Sequence, residues 1–75
     1  MPKLPVVGYR RLVKFLEKLG FRLDHTTGSH FIFYNHTTKR RAVVPRHQRD
    51  LLKGTLMGIL REAGISRKEF EDLFR

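Results

Sequence analysis

The chain has 75 residues and no cysteine, and its 16 Lys and Arg against 7 Asp and Glu give a formal net charge of +9. That length allows one small domain over residues 1–75, marginally stable by burial alone, and the lack of cysteine excludes disulfides and thiolate metal sites. Charge of this density calls for a polyanionic partner, either nucleic acid or an acidic protein, while no apolar run approaches the roughly 20 residues that span a bilayer.

In chain order, Met1 to Val7 is too short and too rich in proline for a signal peptide. Pro2 and Pro5 predict an extended lead-in. Gly8 is placed to cap a helix from Tyr9 to Leu19, in which Leu12, Phe15, Leu16 and Leu19 share one face. Arg10, Lys14 and Lys18 repeat on the other face, either as a solvated surface or as a stripe that tracks phosphates. Gly20 sits where a left-handed residue ends a helix. Phe21 to Thr26 alternates as a strand does, and Thr26-Thr27-Gly28 is a turn cluster. His30 to Tyr34 predicts a second strand and Arg40 to Val44 a third, stopped by Pro45, with a turn from Asn35 to Lys39 between them.

Arg46 to Leu52 predicts a polar connection, and a helix follows from Gly54 to Ala63 with Leu56, Ile59, Leu60 and Ala63 on one face. Gly58 inside that helix suggests close packing against a neighbour. Gly64 ends it, and Ser66-Arg67-Lys68-Glu69 is a capping box for a last short helix with Phe70, Leu73 and Phe74 inward. Short links imply an antiparallel meander. The expected class is α+β, in the order α-β-β-β-α with a short extra helix. A three-stranded sheet carries its helices on one face and leaves the other free. Phe31/Phe33 and His30/Ile32/Tyr34 fall on opposite strand faces. Both sets contain apolar residues, so the pattern does not say which set is core.

The segment from His25 to Arg49 holds no Asp or Glu but all four histidines, with Lys39, Arg40, Arg41, Arg46 and Arg49. An imidazole in a positive field suits a polyanion whose cleavage needs a proton moved near neutral pH. His30 is the candidate catalytic residue, because it follows Gly28-Ser29 at a turn-to-strand junction. Gly28 lacks the Cβ that would obstruct a phosphate, and Ser29 either donates to a phosphate oxygen or closes the turn. Lys39, Arg40 and Arg41 read as a solvated hairpin end that also meets phosphate. Arg46 belongs to the basic surface near the site. His47 is a candidate for the second proton-transfer role, or else faces water or caps the second helix. Lys53 and Thr55 flank Gly54 at the start of that helix, where free amides favour a phosphate or where Thr55 simply caps. His25 and His36 read as surface residues. The histidine spacings match no helical ligand pair, so no metal or other cofactor is expected.

The ordered set of motifs resembles the HicA toxin family of toxin–antitoxin systems over nearly the whole chain. An amphipathic first helix leads into Leu19-Gly20-Phe21. Gly28-Ser29-His30 follows, then Phe33, then Val44-Pro45-Arg46-His47. Leu52-Lys53-Gly54-Thr55-Leu56 and Ile59 to Ser66 complete the pattern. The resemblance implies a double-stranded-RNA-binding-domain-like fold and mRNA cleavage without a metal. It also implies an essential histidine at His30 and silencing by a cognate HicB-like acidic antitoxin. RNA and that antitoxin are then the partners, with no membrane role, in the reducing cytoplasm that a cysteine-free chain fits. The alternatives are a small RNA-binding domain that does not cleave, and a protein-interaction domain whose charge complements an acidic partner.

Overall fold

The computed structural model describes residues 7–74. The lead-in expected at Pro2 and Pro5 lies outside the described residues. The elements are α1 (Tyr9–Lys18), β1 (Arg22–Thr26), β2 (His30–Asn35), β3 (Arg40–Pro45), α2 (Lys53–Ala63) and α3 (Arg67–Leu73). The strands form one antiparallel sheet in the order β1-β2-β3. The expected α+β architecture is therefore observed.

Each boundary has a local cause. Gly8 is the extended N-cap of α1, and Gly20 takes a φ of 99° just past its end, the backbone region that glycine enters without a Cβ penalty. Gly64, at φ 76°, closes α2 in the same way. The Ser66 hydroxyl accepts from the Glu69 amide and the Glu69 carboxylate accepts from the Ser66 amide, so the capping box is formed in full.

The core lies between the sheet and the helices. Leu12, Phe15 and Leu16 of α1, Leu56, Ile59 and Leu60 of α2, and Phe70 of α3 form one apolar cluster with Phe33, Ala42 and Val44 of the sheet. This settles the two faces of β2. Phe33 is buried and Phe31 stacks on Tyr9 with ring centroids 6.1 Å apart, so the helices cover the Phe31/Phe33 face. His30, Ile32 and Tyr34 belong to the uncovered face. Asn35 is the buried polar residue of the described chain. Its amide nitrogen donates to the Leu19 carbonyl at 3.1 Å, and its carbonyl accepts from the Thr37 and Thr38 amides at 2.9 and 3.1 Å. One side chain thus ties the end of α1 to the β2–β3 turn.

Four expectations are corrected. In β1 the register slips between Leu23, opposite Phe33, and His25, opposite Ile32. The extra residue, Asp24, interrupts the expected alternation. Gly58 is exposed and a Cβ there would meet nothing, so it marks no close packing. Leu73 is 50% exposed rather than inward, because α3 ends there and Phe70 and Phe74 take the inner side. Thr55 is not the cap of α2: the helix begins at Lys53 and Leu52 occupies the N-cap, with no side-chain cap bond.

Candidate functional site

The β1–β2 hairpin turns at Gly28-Ser29. The Thr27 amide donates to the His30 carbonyl at 2.9 Å, and the Thr27 hydroxyl reaches the same oxygen at 3.3 Å. Gly28 has no positive φ, and a Cβ there would meet only open space. What glycine leaves free is the approach to the turn from outside.

Arg46, just past β3, clasps this turn. Its amide donates to the Ser29 carbonyl at 2.9 Å, and its Nη1 donates to the Gly28 carbonyl at 3.3 Å. The guanidinium lies over the Phe31 ring at 5.3 Å, and Nε is buried without a hydrogen-bond partner. Phe31 therefore contacts both Arg46 and Tyr9. A cation is held against the turn by packing and two hydrogen bonds, not by an acidic partner.

His30 pairs with Pro45 across the sheet. Its Nδ1 lies 2.9 Å from the Ser29 hydroxyl. That contact leaves Nε2 as the nitrogen for a substrate. In the neutral ring with Nδ1–H donating to the hydroxyl, Nε2 presents its lone pair and can act as a base. With both nitrogens protonated, Nδ1–H still donates to the hydroxyl, and Nε2–H can act as an acid. Either state suits proton transfer at a phosphodiester.

His47 follows Arg46 in a left-handed conformation, φ 61°, with its ring edge against Tyr9 at 5.7 Å. It is drawn toward the helix side, whereas His30 is on the open side. The structure does not set the two rings against each other. His47 instead lines a cleft at the start of α1 with Gly8, Tyr9, Arg10, Arg11 and Arg49. The Arg10 Nε donates to the Tyr9 hydroxyl at 3.1 Å, and this bond holds the guanidinium more firmly protonated than usual.

The remaining candidates lie elsewhere. Asn35 pairs with Arg40 at the end of the β2–β3 ladder opposite the His30–Pro45 pair, about 17 Å away at strand rise. Lys39 turns there at φ 62°, its amide donating to the Asn35 carbonyl at 2.8 Å. The Arg40 side chain runs beside Gly64, and Arg41 pairs with Glu62 of α2 at 3.0 Å. Lys53 and Thr55 are exposed in the first turn of α2, which has no acidic residue. The turn residues Gly28, Ser29 and His30 thus gather with Arg46. Lys39, Arg40 and Arg41 form a second basic group, and Lys53 and Thr55 a third position.

Tyr9 and Arg11 were not singled out by sequence reasoning as site residues; Arg10 was named only within the Arg10, Lys14, Lys18 stripe, and Arg49 only within the acid-free segment. Three were legible in part, since Tyr9-Arg10-Arg11 opens a helix with no acid in its first turn. Arg49 reaches them only because the 46–52 loop folds back. The Gln48 carbonyl accepts from the Tyr9 amide at 2.9 Å, and the Leu51 amide donates to the Val7 carbonyl at 2.8 Å.

Among the described residues no group of three or more His, Cys, Asp or Glu converges on one point, and no helix is long and apolar enough to cross a membrane. No individually curated protein matches the chain. A family model described as the HicA toxin of bacterial toxin–antitoxin matches residues 9–65. That span takes in α1, the whole sheet and α2, and with them the Gly28–His30 turn and its Arg46 clasp, so the chain belongs to the HicA toxin family of bacterial toxin–antitoxin systems.

Proposed function

We propose that the protein is the toxin of a type II pair, acting as a metal-independent endoribonuclease on mRNA in the cytoplasm, and that a HicB-like acidic antitoxin neutralises it. The observation that carries this reading is the Gly28-Ser29-His30 turn, with Nδ1 engaged by Ser29 and Arg46 fixed beside it. In metal-free cleavage the 2′-oxygen of the substrate attacks the adjacent phosphorus and the bond to the 5′-oxygen breaks. The 2′-hydroxyl gives up its proton to a base, and the leaving oxygen takes one from an acid. The products are a 2′,3′-cyclic phosphate and a 5′-hydroxyl. His30 Nε2 serves one of the two transfers, and the Arg46 guanidinium offsets charge on the crowded phosphate. Gly28 and Ser29 form the rim that the phosphate approaches. Lys39, Arg40, Arg41, Lys53, Thr55 and His47 supply further contacts along the polyanion.

One observation favours a second reading, an RNA-binding domain that does not cleave: among the described residues, the only side-chain hydrogen bond of the His30 ring is to Ser29. Incubation of a labelled transcript with the wild type and with His30→Ala separates the two. The nuclease reading expects cleavage that falls by about 10²- to 10⁴-fold in a folded variant. An intact transcript bound equally by both proteins supports the binding domain, and His30-independent cleavage overturns the catalytic assignment.

A further inference from the structure

The open face of the sheet carries a feature that the turn chemistry does not use. Asp24, His25, Ile32, Tyr34, His36 and Arg41 line a shallow depression on it. Ile32 and Tyr34 form the half-buried floor, and the exposed His36 ring stands edge-on to Tyr34 at 4.8 Å and 80°. The one acid, Asp24, is engaged by His25 Nδ1 at 2.7 Å. Arg41 meets Glu62 at 3.0 Å. Both pairs are more than 40% exposed at each side chain. Such pairs hold weakly and exchange readily for a phosphate.

We propose that this depression is a subsite for an unpaired nucleobase of the RNA strand, stacked on Tyr34 with flanking phosphates near Arg41 and the two histidines. One feature selects a single strand over a duplex, and a second places the subsite along the same strand as the turn. An open sheet face with an aromatic ring offers a stacking surface, and a base can use it only when its own faces are not already stacked within a helix. The subsite is also in line with the turn. His30, Ile32 and Tyr34 alternate on one face of β2, so Tyr34 lies about 14 Å from His30. A strand crossing both spans a few nucleotides between the stacked base and the phosphate beside His30. The charge of the chain, +9, and a rim of Arg41, His25 and His36 fit a polyanion.

The subsite rests on the RNA-cleaving function but is tested apart from it. In a His30→Ala background, binding of a short fluorescein-labelled single-stranded oligoribonucleotide is followed by anisotropy at several salt concentrations. A blunt duplex of the same sequence serves as competitor. Tyr34→Ile keeps a strand-forming residue but removes the ring, and is expected to weaken single-strand binding about ten- to a hundredfold with the salt slope unchanged. Tyr34→Phe is expected to stay within about twofold, because the stacking surface persists. A His25→Ala/His36→Ala variant, altered only at exposed rings, is expected to lose about fivefold and to keep the test open should Tyr34→Ile not fold. Unchanged affinity in a folded Tyr34→Ile protein overturns the subsite, as does equal loss for duplex and single strand. So does unchanged affinity in the rim variant if Tyr34→Ile does not fold. Loss of antitoxin binding with RNA affinity intact also overturns it, since the face would then be a protein contact. Cleavage by the otherwise wild-type protein is scored separately. His30-dependent cleavage with no Tyr34 effect sinks the subsite alone. A Tyr34 effect on binding without any cleavage sinks the nuclease reading alone.

Discussion

Replacing Arg46 by alanine separates what this residue does for the fold from what it does for the reaction. The fold loses one side-chain hydrogen bond, from Nη1 to the Gly28 carbonyl at 3.3 Å, and the contact of the guanidinium with the Phe31 ring at 5.3 Å. The first contributes about 0.5–1.5 kcal/mol and the second about 0.5–1 kcal/mol. Removing the buried, unpartnered Nε returns part of that sum. The backbone bond from the residue 46 amide to the Ser29 carbonyl survives the substitution. The net cost is about 1 kcal/mol, or roughly 4–8 °C in melting temperature for a domain of this size. The proposed reaction is expected to lose more, because the charge near the phosphate and the restraint on the turn would disappear together. A preorganised stabilising group is typically worth about 10²- to 10³-fold in rate. Single-turnover cleavage at saturating protein, paired with thermal melts, measures both. Arg46→Lys keeps the charge but lacks the planar fork, so it is expected to recover binding more than rate. The reasoning fails if Arg46→Ala cleaves normally, or if its loss of rate merely follows the fraction unfolded.

Cleavage is expected to persist in excess EDTA and to leave 2′,3′-cyclic phosphate ends; activity lost to the chelator and restored by Mg²⁺ would refute the mechanism. Asn35→Ala is expected to cost about 3 kcal/mol, at about 1 kcal/mol for each of its three hydrogen bonds, and denaturant melts finding less than ~1 kcal/mol would contradict that reading. Arg40→Glu with Arg41→Glu is expected to weaken both RNA and antitoxin binding and to lower the RNA salt slope by about two. Calorimetry at two salt concentrations that finds antitoxin affinity unchanged would mean that the inhibitor docks away from this end of the sheet.

Features of the fold set by neighbouring residues were legible in the sequence. Gly20 and Gly64 needed only their positions after an apolar repeat, and Ser66 with Glu69 needed only its spacing. The strands at His30 and Arg40 were marked by turn residues on either side. Features set by distant residues were not legible. Both alternating sets of β2 contain apolar side chains, and the choice between them is made by α1, whose Tyr9 stacks on Phe31. The slip at Asp24 adds one residue to a short strand and leaves its composition looking regular. Leu73 and Phe74 are equally apolar, and the end of α3 decides which turns inward. At the site, Gly28-Ser29-His30 announced itself as a local motif. Arg46 could be named for its charge, but its bonds to Gly28 and Ser29 cross between strands. Arg40 and Arg41 look close to His30 in a list of basic residues, yet the antiparallel register carries them to the far end of the ladder.

The basic surface is organised by backbone pairing rather than by internal counter-charge. The 46–52 loop is pinned to the start of α1 by the Tyr9–Gln48 and Val7–Leu51 hydrogen bonds, and Gly8 allows the Arg49 carbonyl to come so close that a Cβ would overlap it. These contacts hold His47 and Arg49 beside Arg10 and Arg11, although among the described residues none of the four has a carboxylate partner. The ion pairs among the described residues are at Asp24, at Glu62 and within α3, all away from the Gly28–His30 turn. Assembling like charges in this way costs stability through self-repulsion. The same arrangement leaves the positive field unquenched and available to whatever polyanion arrives. It also supports in physical terms the proposal that the inhibitor is acidic. A partner that supplies the missing carboxylates would relieve the repulsion and at the same time occupy the path proposed for the RNA. Binding of such a partner should therefore raise the melting temperature of the toxin more at low salt than at high salt. A salt-independent rise would place the stabilisation in apolar contacts instead.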